Sequence, residues 1–246
     1  MKFATVLRGL GPVDLKSVSR DSMLLLISAG SLVLALAMRY GVPFATPHLQ
    51  RLLSVDLADY TPLLMSFVLL IAPGMVGSLV GFLILDERDE GTLTALLVTP
   101  VSLSSYLLYR IGLPVVVAFL VTLLAVPIAG LLTIPFGPLV VAAALASLSG
   151  GIVALAVTAL ASNKVEGFGV LKILQGLQAL PLVAWFLPTP WQWLVGIVPT
   201  YWPAAAYWQM AAGESFWEYV VVGVGVNLGI LDWLLDHFRR TLARNA

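Results

Sequence analysis

Apolar residues fall into six long runs along the chain, separated by shorter intervals that hold most of the charge and proline. A helix needs about 20 apolar residues to cross the hydrocarbon core of a bilayer. The pattern therefore predicts an all-α integral membrane protein with spans at 23–42, 63–85, 106–132, 139–161, 168–187 and 216–235, all in one domain covering 1–246. Residues 1–22 follow a different pattern. Phe3, Val6, Leu7 and Leu10 recur at helical spacing with Lys2, Arg8, Lys16 and Arg20 between them, which predicts an amphipathic helix lying in the interface. Gly9, Gly11, Pro12 and Asp14 interrupt the apolar core that a cleaved signal peptide requires, so the segment is expected to be retained.

Arg39 closes the first span, and 43–62, with Pro43, Pro47, Pro62, His48, Arg51, Asp56 and Asp59, reads as a short external helix or loop. In the second span Pro73 predicts a kink, and Gly77 and Gly81 have the small-xxx-small spacing suited to close helix contact. The fourth span is rich in Ala, Ser and Gly and is expected to be central. Residues 133–138 read as an external turn and 162–167 as an inner loop. Between 188 and 215, four prolines and a set of Trp and Tyr predict short broken helices dipping into the outer leaflet.

Composition sharpens this picture. The chain is 60% hydrophobic and 11% charged, with a mean hydropathy of +0.99. Soluble domains are about 25% charged. There is no cysteine, and the two histidines, His48 and His237, lie far apart, so disulfides and thiol catalysis are excluded and a closed zinc site is disfavoured. Under this threading Lys2, Arg8, Lys16, Arg20, Arg88, Arg110, Lys164, Lys172, Arg239, Arg240 and Arg244 fall on one side, and only Arg39 and Arg51 on the other. The positive-inside rule then makes both termini and the interval after residue 85 cytoplasmic. No Gly-x-x-x-x-Gly-Lys-[Ser/Thr] occurs, so the chain has no P-loop and its energy must come from elsewhere.

The most polar interval between two spans is Asp86 to Tyr106. Asp86, Glu87, Arg88, Asp89 and Glu90 form a group of net charge minus three that hydrocarbon would exclude. Gly91 allows a turn, and Leu93, Leu96 and Leu97 then lie at i, i+3 and i+4 on one face of a short helix ended by Thr99-Pro100. Helices adsorbed on anionic lipid carry Lys or Arg on the polar face, so the acidic lead-in favours docking on a protein over adsorption to lipid. The plain alternative is a solvated loop.

Glu87-Arg88-Asp89-Glu90-Gly91-Thr92-Leu93 followed by Leu97-Val98-Thr99-Pro100 resembles the cytoplasmic signature of the ABC type-2 permeases, the membrane subunits of ATP-driven exporters. Asp14-Leu-Lys, Arg20-Asp21 and Pro199-Thr200-Tyr201-Trp202-Pro203 extend the likeness over most of the chain. The resemblance implies an N-terminal amphipathic connecting helix and a coupling role for Glu87, Arg88, Glu90, Gly91, Thr92, Leu93, Leu96, Leu97, Thr99 and Pro100. It further implies an ATP-binding cassette subunit that holds ATP and Mg, while this chain binds no cofactor itself. A second permease copy or paralogue would bring the assembly to 12 spans in the cell membrane. No nucleic-acid partner is expected.

Polar residues within the spans are candidates for a substrate path. Gln175, Gln178 and Asn227 either face the path or bridge helices, since amides also act as glue between helices. Trp191 and Trp202 belong either to an aromatic outer cavity suited to hydrophobic, drug-like or lipid-like cargo or to an ordinary interfacial belt. Asp232 reads as an anchor at the inner surface rather than a proton relay. A proton-coupled secondary transporter is the nearest rival to the ATP-driven exporter. A membrane-embedded enzyme would need a nucleophile–base pair or paired carboxylates at one depth, which the spans do not offer.

Overall fold

The computed structural model describes the backbone of residues 12, 16, 20, 22–90 and 103–245, and side chains over the same positions except 22–28, 103–107, 189, 239 and 241–245. The described residues contain helices and no strand: α1 (Ser22–Leu53), α2 (Thr61–Asp89), α3 (Leu103–Ala129), α4 (Phe136–Leu160), α5 (Lys164–Ala184), α6 (Thr189–Val195), α7 (Tyr201–Ala212) and α8 (Trp217–Asn245), with a 3-10 turn at Leu57–Tyr60. Six of them, α1 to α5 and α8, are long and apolar enough to cross a membrane. Pro12, Lys16 and Arg20 are helical and exposed, while the rest of the interfacial helix expected at 1–22 lies outside the described residues.

Small residues decide how the bundle closes. A methyl group added to Gly77 of α2 would overlap the Gly150 carbonyl of α4 and come within 2.8 Å of Val153 Cβ, so the two backbones are in contact there. Gly150 in turn faces the Pro73 and Pro114 carbonyls, which brings α2, α3 and α4 together at one level. One turn further along, Gly81 packs on Val157. The buried hydroxyls of Ser66, Ser78, Ser147, Ser149 and Thr158 each donate to a carbonyl three or four residues back in their own helix, which satisfies them without a partner from another element. The Gly77/Gly81 spacing and the small-residue composition of 139–161 thus correspond to the central α2–α4 crossing.

Helix α1 departs from the sequence expectation of a break after residue 42. It continues through Pro43 and Pro47 to Leu53 and ends at Ser54, whose φ is 55°. This part of α1 is mostly exposed, where a carbonyl freed by proline can bond water, so the backbone tolerates prolines that would be costly in a packed interior. The interval 162–167 also differs. Helix α5 starts at Lys164 because Asn163 Oδ1 accepts from the Glu166 backbone N–H at 3.0 Å and Glu166 accepts from the Ser162 N–H at 2.8 Å, a reciprocal cap close to the capping box.

Between α5 and α8 the two short helices α6 and α7 form an aromatic end. Helix α7 is not superficial, since Tyr201, Trp202, Tyr207 and Trp208 are all buried against α2, α4 and α8. Its C-terminus is closed by Gly213 at φ 74°, with the Glu214 N–H donating to the Gln209 carbonyl. At the edge of this end, Arg39 of α1 donates to the Ile128 carbonyl at 3.0 Å, beside the left-handed Gly130 that terminates α3.

Candidate functional site

The opposite end of the bundle carries the charge. Asp86 to Asp89 do not leave the helix as a loop; they form the last turn of α2, and Glu90 caps it. Helical geometry sends successive side chains to different neighbours. Asp86 pairs with Lys164 at the start of α5 at 2.8 Å. Glu87 pairs with Arg110 of α3, and both side chains are largely buried, at 14% and 1% exposed. Arg88 reaches α4, where it donates to the Ala161 carbonyl at 2.7 Å and the Thr158 carbonyl at 3.2 Å. One turn of α2 is therefore fastened to α3, α4 and α5.

Each contact suits its helix end electrostatically. The last carbonyls of α4 carry partial negative charge, which the Arg88 guanidinium offsets while bonding two of them. Asp86 sits by the positive N-terminus of α5. Glu87–Arg110 is a different kind of interaction, because both ions are withdrawn from water and each needs the other. Sequence reasoning placed Arg110 only in the count of basic residues. The available signal was its position inside an apolar run, since a charge there faces the protein interior and pairs with an acid at its own level.

Of the residues assigned to coupling, Glu87, Arg88 and Glu90 are described, with Glu90 exposed. Gly91, Thr92, Leu93, Leu96, Leu97, Thr99 and Pro100 lie outside the described residues. The charged turn leads directly into that segment.

The candidate path residues are not gathered in one place. Trp202 and Asn227 work together at the aromatic end. Trp202 donates from Nε1 to the Gly196 carbonyl at 2.8 Å, and Asn227 donates to the Pro199 carbonyl at 3.2 Å and to the Gly223 carbonyl of its own helix at 2.8 Å. Both are buried, and a methyl group on Gly223 would meet Trp202 Cβ at 2.5 Å. They fasten the 196–199 turn to α8. Trp191 is 61% exposed. Gln178 lies over Gly74 of α2, and Gln175 points outward on α5. The tryptophans thus divide into a packed set, Trp202 and Trp208, with Trp185 partly buried beside them, and an exposed set, Trp191, Trp193, Trp217 and Trp233. Asp232 is exposed on α8, on the same helix face as Asp236 and Arg240.

Comparison with known proteins places the chain in a family. The profile described as "Fluoroquinolones export permease protein Rv2686c-like" matches residues 14–235. The chain is 33% identical over 249 residues to the fluoroquinolones export permease protein MT2760 of Mycobacterium tuberculosis (strain CDC 1551 / Oshkosh), covering 98% of this chain and 95% of that protein. The same identity and coverage hold for the fluoroquinolones export permease protein Rv2686c of Mycobacterium tuberculosis (strain ATCC 25618 / H37Rv). The chain, a multi-pass membrane protein with a charged turn leading into an ABC type-2 signature, belongs to the Rv2686c-like family of export permeases.

Proposed function

We propose that this permease is the membrane-spanning subunit of an ATP-driven exporter and that its cargo is hydrophobic and drug-like, of the fluoroquinolone type named for its relatives. A separate ATP-binding cassette subunit supplies ATP hydrolysis with Mg and docks from the cytoplasm on the coupling segment 86–105. Both termini lie on that side of the cell membrane. Two copies, or one copy and a paralogue, give 12 spans and line the path where they meet.

The observation that carries this reading is the charged last turn of α2, tied to α3, α4 and α5 by Glu87, Arg88 and Asp86. A push delivered to the segment that follows reaches four spans at once rather than bending one. Closure of two cassette subunits would move each permease as a block and switch the path from inward to outward access.

Leu96→Asp tests the docking face. A buried unpaired charge at the subunit contact costs several kcal/mol unless the contact opens, so partner-stimulated ATPase activity and export should fall together. Wild-type values for both, at normal permease levels, would return the segment to a solvated loop. Collapsing the proton gradient while ATP is maintained separates this mechanism from proton-coupled transport, because export should continue.

A further inference from the structure

Lys172 stands on α5 in a setting that neither the fold nor the coupling site explains. Helix α5 runs beside α2, with Gly167 against Phe82 and Leu85 and Gln178 over Gly74. Lys172 falls between those levels, eight residues and about 12 Å into the helix. A lysine stem covers roughly half that distance, so the ammonium reaches the inner edge of the 168–187 span while staying short of the helix start. The side chain nevertheless points away from the bundle. It is exposed, and no carboxylate pairs with it among the described residues.

The surrounding face is mixed, with Val165, Phe168 and Val183 exposed on the same side of the helix as Lys172. Gly169, Gln175 and Gly176 are exposed beside Lys172, and a methyl group on either glycine would meet nothing within 4 Å. Charged residues at such depth face a water-filled cavity or a protein interior. Here the protein interior is on the other side of the helix. The open glycines leave a shallow backbone-lined strip in which a flat molecule could lie against α5 with an ammonium and an amide at its edge. If two copies bring this face to a common axis, their Lys172 side chains would bear like charge, an arrangement that favours an anion between them.

We propose that Lys172, assisted by Gln175, holds the carboxylate of an otherwise apolar, flat cargo as it passes along the exposed face of α5. This rests on the export reading above and adds the chemical group that the path selects. The ammonium gives a charge-assisted hydrogen bond to the carboxylate, and the amide of Gln175 donates a second.

The test compares a fluoroquinolone carboxylic acid with its methyl ester, which lacks the anionic group. Uptake is measured in inverted membrane vesicles containing the permease with its ATPase. Lys172→Met should reduce ATP-driven uptake of the acid about tenfold or more while leaving the ester within about twofold of wild type, and Lys172→Arg should restore most of the acid uptake. An equal fall for both probes would make Lys172 a packing residue and overturn the assignment, as would acid uptake unchanged in Lys172→Met. In both cases wild-type uptake would leave the export reading standing. Failure of wild-type vesicles to take up either probe would instead remove the export reading and the assignment with it.

Discussion

At the scale of single residues, the two bonds from Arg88 to the Thr158 and Ala161 carbonyls set a measurable difference between arginine and lysine. The sequence presents Arg88 in an acidic run, where a solvated charge at the rim of a contact would tolerate Arg88→Lys. A single ammonium lacks the planar fork that spans two carbonyls. Arg88→Ala should lower stability by about 1–3 kcal/mol, and Arg88→Lys should recover only part of that, as read by thermal denaturation of the purified permease. Glu87–Arg110 makes a sharper case. Removing one partner takes an ionic bond from a buried ion, so Glu87→Ala should lower stability, whereas a well-packed apolar pair at both positions should fold closer to normally, as read by thermal denaturation. The charge count identifies these residues, but their partners come from spans 20 or more residues away, and no local spacing encodes which acid meets which base.

At the scale of elements, Gly77 and Gly176 provide a matched comparison. The first touches the Gly150 backbone and the second faces open space. Gly77→Ala should force α2 and α4 apart at a cost of about 1–3 kcal/mol, and Gly176→Ala should be tolerated or slightly stabilising, both measured by thermal shift. The Gly77/Gly81 spacing was legible in the sequence because close helix contact needs small residues at that interval. The extent of α1 was not, because Pro43 and Pro47 signal a break and only their exposure permits the helix to continue. The cap from Asn163 to Glu166 was legible in principle as Asn-x-x-Glu, and Asn163→Ala should cost about 1 kcal/mol. The aromatic end shows the same division. Periodicity cannot tell the buried Trp202 from the exposed Trp191, yet Trp202→Ala should cost about 3–5 kcal/mol in stability while Trp191→Ala should leave stability unchanged and test the substrate role alone.

At the scale of the whole molecule, burial is uneven. The apolar windows of α2 and α4 are 78% buried, while that of α1 is 11% buried and those of α5 and α8 are 22% buried. The outer helices therefore hold most of the surface available to lipid, a second copy or cargo. Hydropathy revealed the six helices and the glycines hinted at the central pair, but the direction in which Lys172 points follows only from which face of α5 the bundle covers. The fastened turn of Asp86, Glu87 and Arg88 became visible only in the structure, because its partners lie on other helices.

The arginines at the two ends of the bundle have a mechanical consequence. Arg39 fastens α1 to the end of α3, Arg88 fastens α2 to the end of α4, and between these two levels α2 and α4 meet backbone to backbone at Gly77 and Gly150. Each pair is pinned at one end, and α2 and α4 cross without intervening side chains, so those two helices are held together as one link. In the exporter proposed above, such a link would pass motion on as a whole rather than bend within itself.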